Sequence, residues 1–191
     1  MKRRAFLAAG LGYCALAFPE TKYPTVTPRY SLQFPRDHGA HPDYRQEWWY
    51  VTGWLKTQAG ADLGFQITFF RIRPDFENPN PSAFTPRQVI LAHAALAEPR
   101  HGRLRHDERA ARTALELAGS REGTTNVWVN DWSLVLSEKT YFAKIVAREF
   151  SLDLQFAANE GPVLQGESGF SRKGSGPEEA SYYYSRPQLA V

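Results

Sequence analysis

Glu47-Trp48-Trp49-Tyr50-Val51-Thr52-Gly53 opens a stretch that runs through the turn-forming Ala59-Gly60-Ala61-Asp62 into Gly64-Phe65-Gln66-Ile67-Thr68-Phe69-Phe70-Arg71. Residues 47–58 and 63–73 are rich in β-branched and aromatic side chains on either side of a glycine-bearing turn, which is the pattern of a two-stranded hairpin. Neighbouring strand side chains point to opposite faces, so Phe65, Ile67 and Phe69 share one face. The same rule sets Trp49, Val51 and Leu55 against Trp48, Tyr50 and Trp54, and predicts that only one of these sets lines an interior cavity.

Outward from this hairpin the strand signals continue. A loop rich in Pro, Asn and Asp covers 74–86, and 88–97 reads as a further strand. Residues 126–137 and 143–157 return to strand patterning, with Trp128, Trp132, Leu134 and Leu136 on one parity and Phe150, Leu152, Leu154 and Phe156 sharing another face. A last strand is expected within 180–191. Residues 103–117 are the one helix candidate, because Ala, Arg, Leu and Glu favour helix and Gly119 stands where a capping glycine would. The expected fold is all-β, a barrel or sandwich of antiparallel strands with at most one short helix.

The amino terminus stands apart. Lys2, Arg3 and Arg4 precede the apolar run 5–17, which is too short to span a bilayer and reads as a signal peptide. Arg3-Arg4-Ala5-Phe6-Leu7 has the form of a twin-arginine signal, and Ala15-Leu16-Ala17 offers a small-x-small cleavage site, so residues 1–17 are expected to be removed on export to the periplasm. The alternatives are a lipoprotein anchored through Cys14, disfavoured by the bulky Tyr13 before it, and an uncleaved anchor. Taking three basic residues from 23 leaves 20 against 20 acidic ones, so the mature chain is neutral and lacks the Lys/Arg tract that nucleic-acid binding needs. Cys14, the single cysteine, leaves with the signal, so stability must come from packing rather than a disulfide. Residues 18–45 carry five prolines and are expected as an extended lead-in, with one domain over 46–191.

The hairpin motif, together with Ala92-His93-Ala94-Ala95, Val127-Trp128-Val129-Asn130-Asp131-Trp132-Ser133-Leu134, the run 164–174 beginning Leu164-Gln165-Gly166-Glu167, and Ala180-Ser181-Tyr182-Tyr183-Tyr184-Ser185, resembles the AttH / carotenoid 1,2-hydratase family. The resemblance implies a lipocalin-like fold and an organisation of two such domains in tandem, of which this chain corresponds to the first, the second being absent. It also implies two possible activities: binding of an apolar or amphipathic, isoprenoid- or lipid-like molecule, or cofactor-independent hydration of an acyclic carotenoid. Because family residues implicated in hydration lie largely in the second domain, hydratase chemistry is expected only with that domain. The remaining alternative is a docking domain, whose implied protein partners are a second lipocalin-like domain or ABC transporter components.

Protonating an unactivated alkene needs a strong acid and a means to stabilise a carbocation, which a buried carboxylic acid beside aromatic faces supplies. Glu47 beside Trp48 and Trp49, and Asp131 between Trp128 and Trp132, are the carboxylates in such a neighbourhood, and burial would raise their pKa. His93 is a third candidate as acid, base or ligand contact, against the plainer reading of a bonded core histidine. Trp48, Trp49, Tyr50, Arg71, Trp128, Trp132, Arg172, Tyr182, Tyr183 and Tyr184 are candidate ligand contacts, against the alternative that the rings pack the core while the arginines bond the carboxylates. His38 and His41 with Asp37 and Asp43 lack a helix to align them, so no metal and no cofactor is expected. The Gly166-Glu167-Ser168-Gly169 run has Phe170 where a nucleophile elbow needs glycine, which excludes a serine hydrolase.

Overall fold

The computed structural model describes residues 23–75, 80–82, 84–85, 87–176 and 179–191; the expected signal peptide lies outside them. Four strands, β1 (Gln46–Lys56), β2 (Asp62–Ile72), β3 (Val89–Ala97) and β4 (Leu104–Arg112), form an antiparallel meander. Five more, β5 (Ala118–Ser120), β6 (Asn126–Val129), β7 (Trp132–Ser137), β8 (Thr140–Val146) and β9 (Ser151–Ala157), form a second. The short strands β10 (Val163–Leu164), β11 (Phe170–Arg172), β12 (Ala180–Tyr182) and β13 (Tyr184–Ser185) pair as β10 with β13 and β11 with β12.

The two sheets pack face to face as a lipocalin-like sandwich. No closed barrel forms, because among the described residues β1 ladders only with β2 and β9 only with β8, apart from a single bridge from Ala157 to Ala190. The core sits between the sheets: Phe65, Ile67 and Phe69 of β2 and Ile90, Ala92, Ala94 and Leu96 of β3 meet Val127, Val129, Trp132, Leu134, Ile145 and Phe156 from the other sheet. Phe65 and Phe156 stack at 5.8 Å between ring centres. Each large apolar side chain removed from water here contributes roughly 1.5–3 kcal/mol.

The first hairpin forms as its alternation predicts, with Glu47 opposite Arg71, Trp49 opposite Phe69 and Gly53 opposite Phe65. Its turn is closed by the Thr57 N–H donating to the Ala61 carbonyl, with Gly60 at φ +81°. Residues 103–117 correct the expectation of a helix. Residues 104–112 pair in register with 97–89 of β3, and a strand already in place offers every backbone group a partner that outweighs a weak helix preference. Gly119, expected as a helix cap, instead lies in β5 beneath Trp128, where a Cβ would stand 2.5 Å from the indole. Residues 126–137 and 143–157 are each interrupted by a turn. Asn130, at φ +52°, and Asp131 make a two-residue turn, so Trp128 and Trp132 face opposite ways and do not share a parity.

Residues 23–45 contain one regular element, the 3-10 turn Arg36–His38. This segment is tied to the second sheet by backbone contact: the Ala40 N–H donates to the Arg121 carbonyl at 2.8 Å, and Thr125 Oγ1 donates to the His38 carbonyl at 2.9 Å.

Candidate functional site

A cleft of about 1270 Å³ follows the open side of the sandwich, between β1, the lead-in and the last residues of the chain. Its floor is apolar, with Phe65, Leu134 and Phe156 from both sheets. Both parities of β1 line it, Trp49 and Val51 as well as Trp48, Tyr50 and Trp54, which corrects the expectation that one set alone would do so. The reason is topological: β1 is the edge strand of its sheet and forms a lip, and a cleft along a lip meets both of its faces, whereas an enclosed barrel meets one.

One wall is a bonded polar cluster. Glu47 accepts from the His41 backbone N–H at 2.8–2.9 Å, from His41 Nδ1 at 2.6 Å and from Arg71 Nε at 2.6 Å. Arg71 is fully buried and also donates to the carbonyls of His41, Pro42 and Tyr44. His41 Nε2 reaches Asp37 Oδ1 at 3.2 Å, and Asp37 also accepts from Arg36, Tyr30 and the Gln33 N–H. Burial alone would raise the Glu47 carboxyl, but the bonds from His41 and the charge of Arg71 outweigh it and hold Glu47 below the ordinary carboxylate value. His41 moves the other way: its bond to Glu47 raises its pKa against the opposing effect of burial. The cluster thus favours ionised Glu47 beside protonated His41, the reverse of the raised carboxyl expected from the sequence.

His38, one residue from Asp37, has a different environment. It is buried, its Nε2 accepts from Arg186 Nη2 at 3.2 Å, and its Nδ1 lies 3.0 Å from the Tyr184 hydroxyl. A guanidinium only donates, so Nε2 carries the lone pair and Nδ1–H donates to Tyr184. Burial and the adjacent Arg186 charge push His38 down to about 4, so it is neutral at physiological pH. The Tyr184 hydroxyl is pushed up by burial.

The outer rim is aromatic and cationic. The hydroxyls of Tyr50 and Tyr183 bond at 2.5 Å, and Lys173 Nζ lies 4.6 Å from the Tyr183 ring centre and 5.9 Å from that of Trp48.

Of the residues selected from sequence, Glu47, Trp48, Trp49, Tyr50, Tyr182, Tyr183 and Tyr184 line the cleft, and Arg71 supports it from behind Glu47. The others lie elsewhere. Asp131 is exposed in the β6–β7 turn, Trp132 is wholly buried in the core, and Trp128 packs outside with its Nε1 on the Glu116 carbonyl. His93 is not a core histidine: it faces outward on β3 across from Glu108, 3.9 Å away, against Phe70. Arg172 is exposed against Phe170. Sequence reasoning missed Tyr141 and Arg186, and it took His38 and His41 as one group where the fold commits them to different partners. Among the described residues no three His, Cys, Asp or Glu side chains are placed to hold a metal ion.

Comparison with known proteins identifies relatives of this architecture. A crystal structure of a protein described as an AttH of Nitrosomonas europaea is similar over 87% of this chain, with 47% identity and a TM-score of 0.77. The chain spans 50% of the length of that protein. No curated protein matches. The family model described as AttH-like matches residues 25–191, which takes in the lead-in, both sheets and the cleft, and the chain therefore belongs to the AttH-like family.

Proposed function

We propose that this protein is an exported lipocalin-like module that holds an apolar or amphipathic, lipid- or isoprenoid-like molecule in the β1 cleft. The observation that carries this reading is the cleft itself. Its volume exceeds the ~300–1,000 Å³ of ordinary small-molecule sites, and its apolar floor ends in a few convergent polar groups. Aromatic side chains supply contact area at low entropic cost, and Trp48 and Trp54 at the rim are disposed to cover a long chain rather than a compact polar ligand. Export rests on the charged and apolar run 2–17. In this reading the Glu47 cluster is a positioning device: it fixes the β1 lip against the lead-in, and the ionised carboxylate has no proton to donate.

The test is native mass spectrometry of the protein purified from the periplasm under conditions that preserve lipid contacts. The expected result is a co-purifying apolar mass that is reduced in Trp48→Ala. A clean mass together with no uptake of a hydrophobic fluorophore would sink the reading.

A further inference from the structure

We propose that Arg186 is the seat for a carboxylate at the head of the ligand, so that the cleft takes a fatty-acid-type molecule with its chain on the apolar floor. This inference rests on the ligand-binding reading above and deepens it.

Arg186 is distinguished by what it lacks. The other sheltered arginines of the fold all have a carboxylate: Arg71 has Glu47 at 2.6 Å, Arg105 has Glu98 at 3.0 Å and Arg109 has Asp107 at 3.1 Å. Arg186 lines the cleft and has no carboxylate within ion-pairing distance among the described residues. Its Nη2 meets the neutral His38, its Nη1 makes a long 3.4 Å contact with the Tyr141 hydroxyl, its guanidinium lies 5.7 Å from the Tyr141 ring centre, and its Nε, like that of Arg105, is buried without a partner among the described residues. A guanidinium presents five donors in a planar fork, and burying one without its complement is costly. His38 cannot offset the charge because its lone pair is already committed to Arg186 and its N–H to Tyr184.

One further group points the same way. Tyr184 accepts the His38 N–H, which leaves its own hydroxyl hydrogen to donate. A planar cation with a hydroxyl donor close by, joined to it through His38, matches the single charge and two oxygens of a carboxylate. Phe65, Leu134 and Phe156 in the same cleft offer an apolar path for the attached chain. Lys173 is the rival anion site, but it is exposed at the rim, where water solvates its charge, whereas Arg186 is half-buried.

The experiment is a tryptophan-fluorescence titration of the whole chain with laurate and with lauryl alcohol, which share a chain and differ in the head. Laurate is expected to bind about tenfold tighter, the size of one charge-assisted hydrogen bond. Arg186→Gln is expected to abolish that preference while still binding the alcohol, Arg186→Lys to restore part of it, and Lys144→Gln, an exposed cation outside the cleft, to leave it intact. Alcohol binding and circular dichroism report whether each variant is folded, and the wild-type comparison needs no variant. Equal binding of acid and alcohol by the wild type would overturn the inference while leaving the apolar-ligand reading in place. So would a preference that survives Arg186→Gln but is lost in Lys173→Gln. Failure of both molecules to bind would remove the ligand reading itself, and the head-group assignment with it.

Discussion

Glu47 and Arg71 stand directly opposite each other across the β1–β2 ladder, and Arg71 Nε donates to Glu47 Oε2 at 2.6 Å. The pair continues the inward column of Phe65, Ile67 and Phe69 and ends it with charge rather than with another ring. Because Arg71 also bonds three carbonyls of 41–44, one guanidinium fastens the β1 lip to the lead-in.

Arg71→Met should therefore cost about 3–5 kcal/mol, since it leaves Glu47 and the carbonyls short of their partner in a sheltered place. The Glu47→Leu/Arg71→Met double variant should recover part of this loss. Urea unfolding of the wild type, both single variants and the double variant gives the coupling. A single-variant loss below about 1 kcal/mol would show that the pair is as weak as a surface bridge.

His38 predicts a loss of stability on mild acidification. It is neutral and buried when folded, with its pKa lowered from 6.5 to about 4, so the unfolded chain binds a proton first. Stability should fall as the pH drops from 6.5 towards 4, by about 3 kcal/mol over that window. Denaturant midpoints across this range should show a smaller slope in His38→Gln. An identical slope would assign the acid sensitivity to the carboxylates.

His41 predicts the opposite sign at the other end. Its folded pKa is raised by Glu47, so its contribution is fully present below the unfolded value of 6.5 and is lost as the pH rises through the folded value. The gap in stability between wild type and His41→Gln should therefore narrow as the pH rises above 6.5. A gap constant across this range would mean that His41 acts through its backbone N–H alone.

Gly39 predicts a steric penalty. A Cβ there would stand 2.2 Å from the Gly123 backbone nitrogen and 2.7 Å from that of Thr124, so the lead-in and the β5–β6 connection touch backbone to backbone. Gly39→Ala must push two main chains apart and should cost about 1–3 kcal/mol. Gly60→Ala is the control for loss of glycine alone, because no atom lies within 4 Å of its Cβ position although its φ is positive. Thermal unfolding should rank Gly39→Ala well below Gly60→Ala.

How much of the fold is legible in the sequence depends on where each signal resides. The β1–β2 hairpin can be read because its alternation, its turn and its bulky side chains all lie within one continuous stretch. Residues 104–112 cannot, because Ala, Arg, Leu and Glu favour helix locally and the strand exists only through the partner at 89–97. The Asn130-Asp131 turn does carry a local signal: an asparagine tolerates positive φ, and a two-residue turn reverses the parity of the strand after it. That single reversal moves Asp131 to the surface and parts Trp128 from Trp132. In the site, Glu47 and the Trp and Tyr runs are legible as residue types, but their partners are not. Glu47 is matched by His41 and Arg71, and Tyr184 by His38 from 146 residues away.

What this sequence determined by itself is the class of the fold, antiparallel strands in a barrel or sandwich around an aromatic core, because side-chain period and turn chemistry are properties of neighbouring residues. The tertiary structure alone decided that the sandwich stays open along β1, that both faces of that strand reach the cleft, and that Arg186 is left without a counter-charge among the described residues. These are outcomes of long-range pairing, set by which segments meet once the core is buried, and no short window of residues records them.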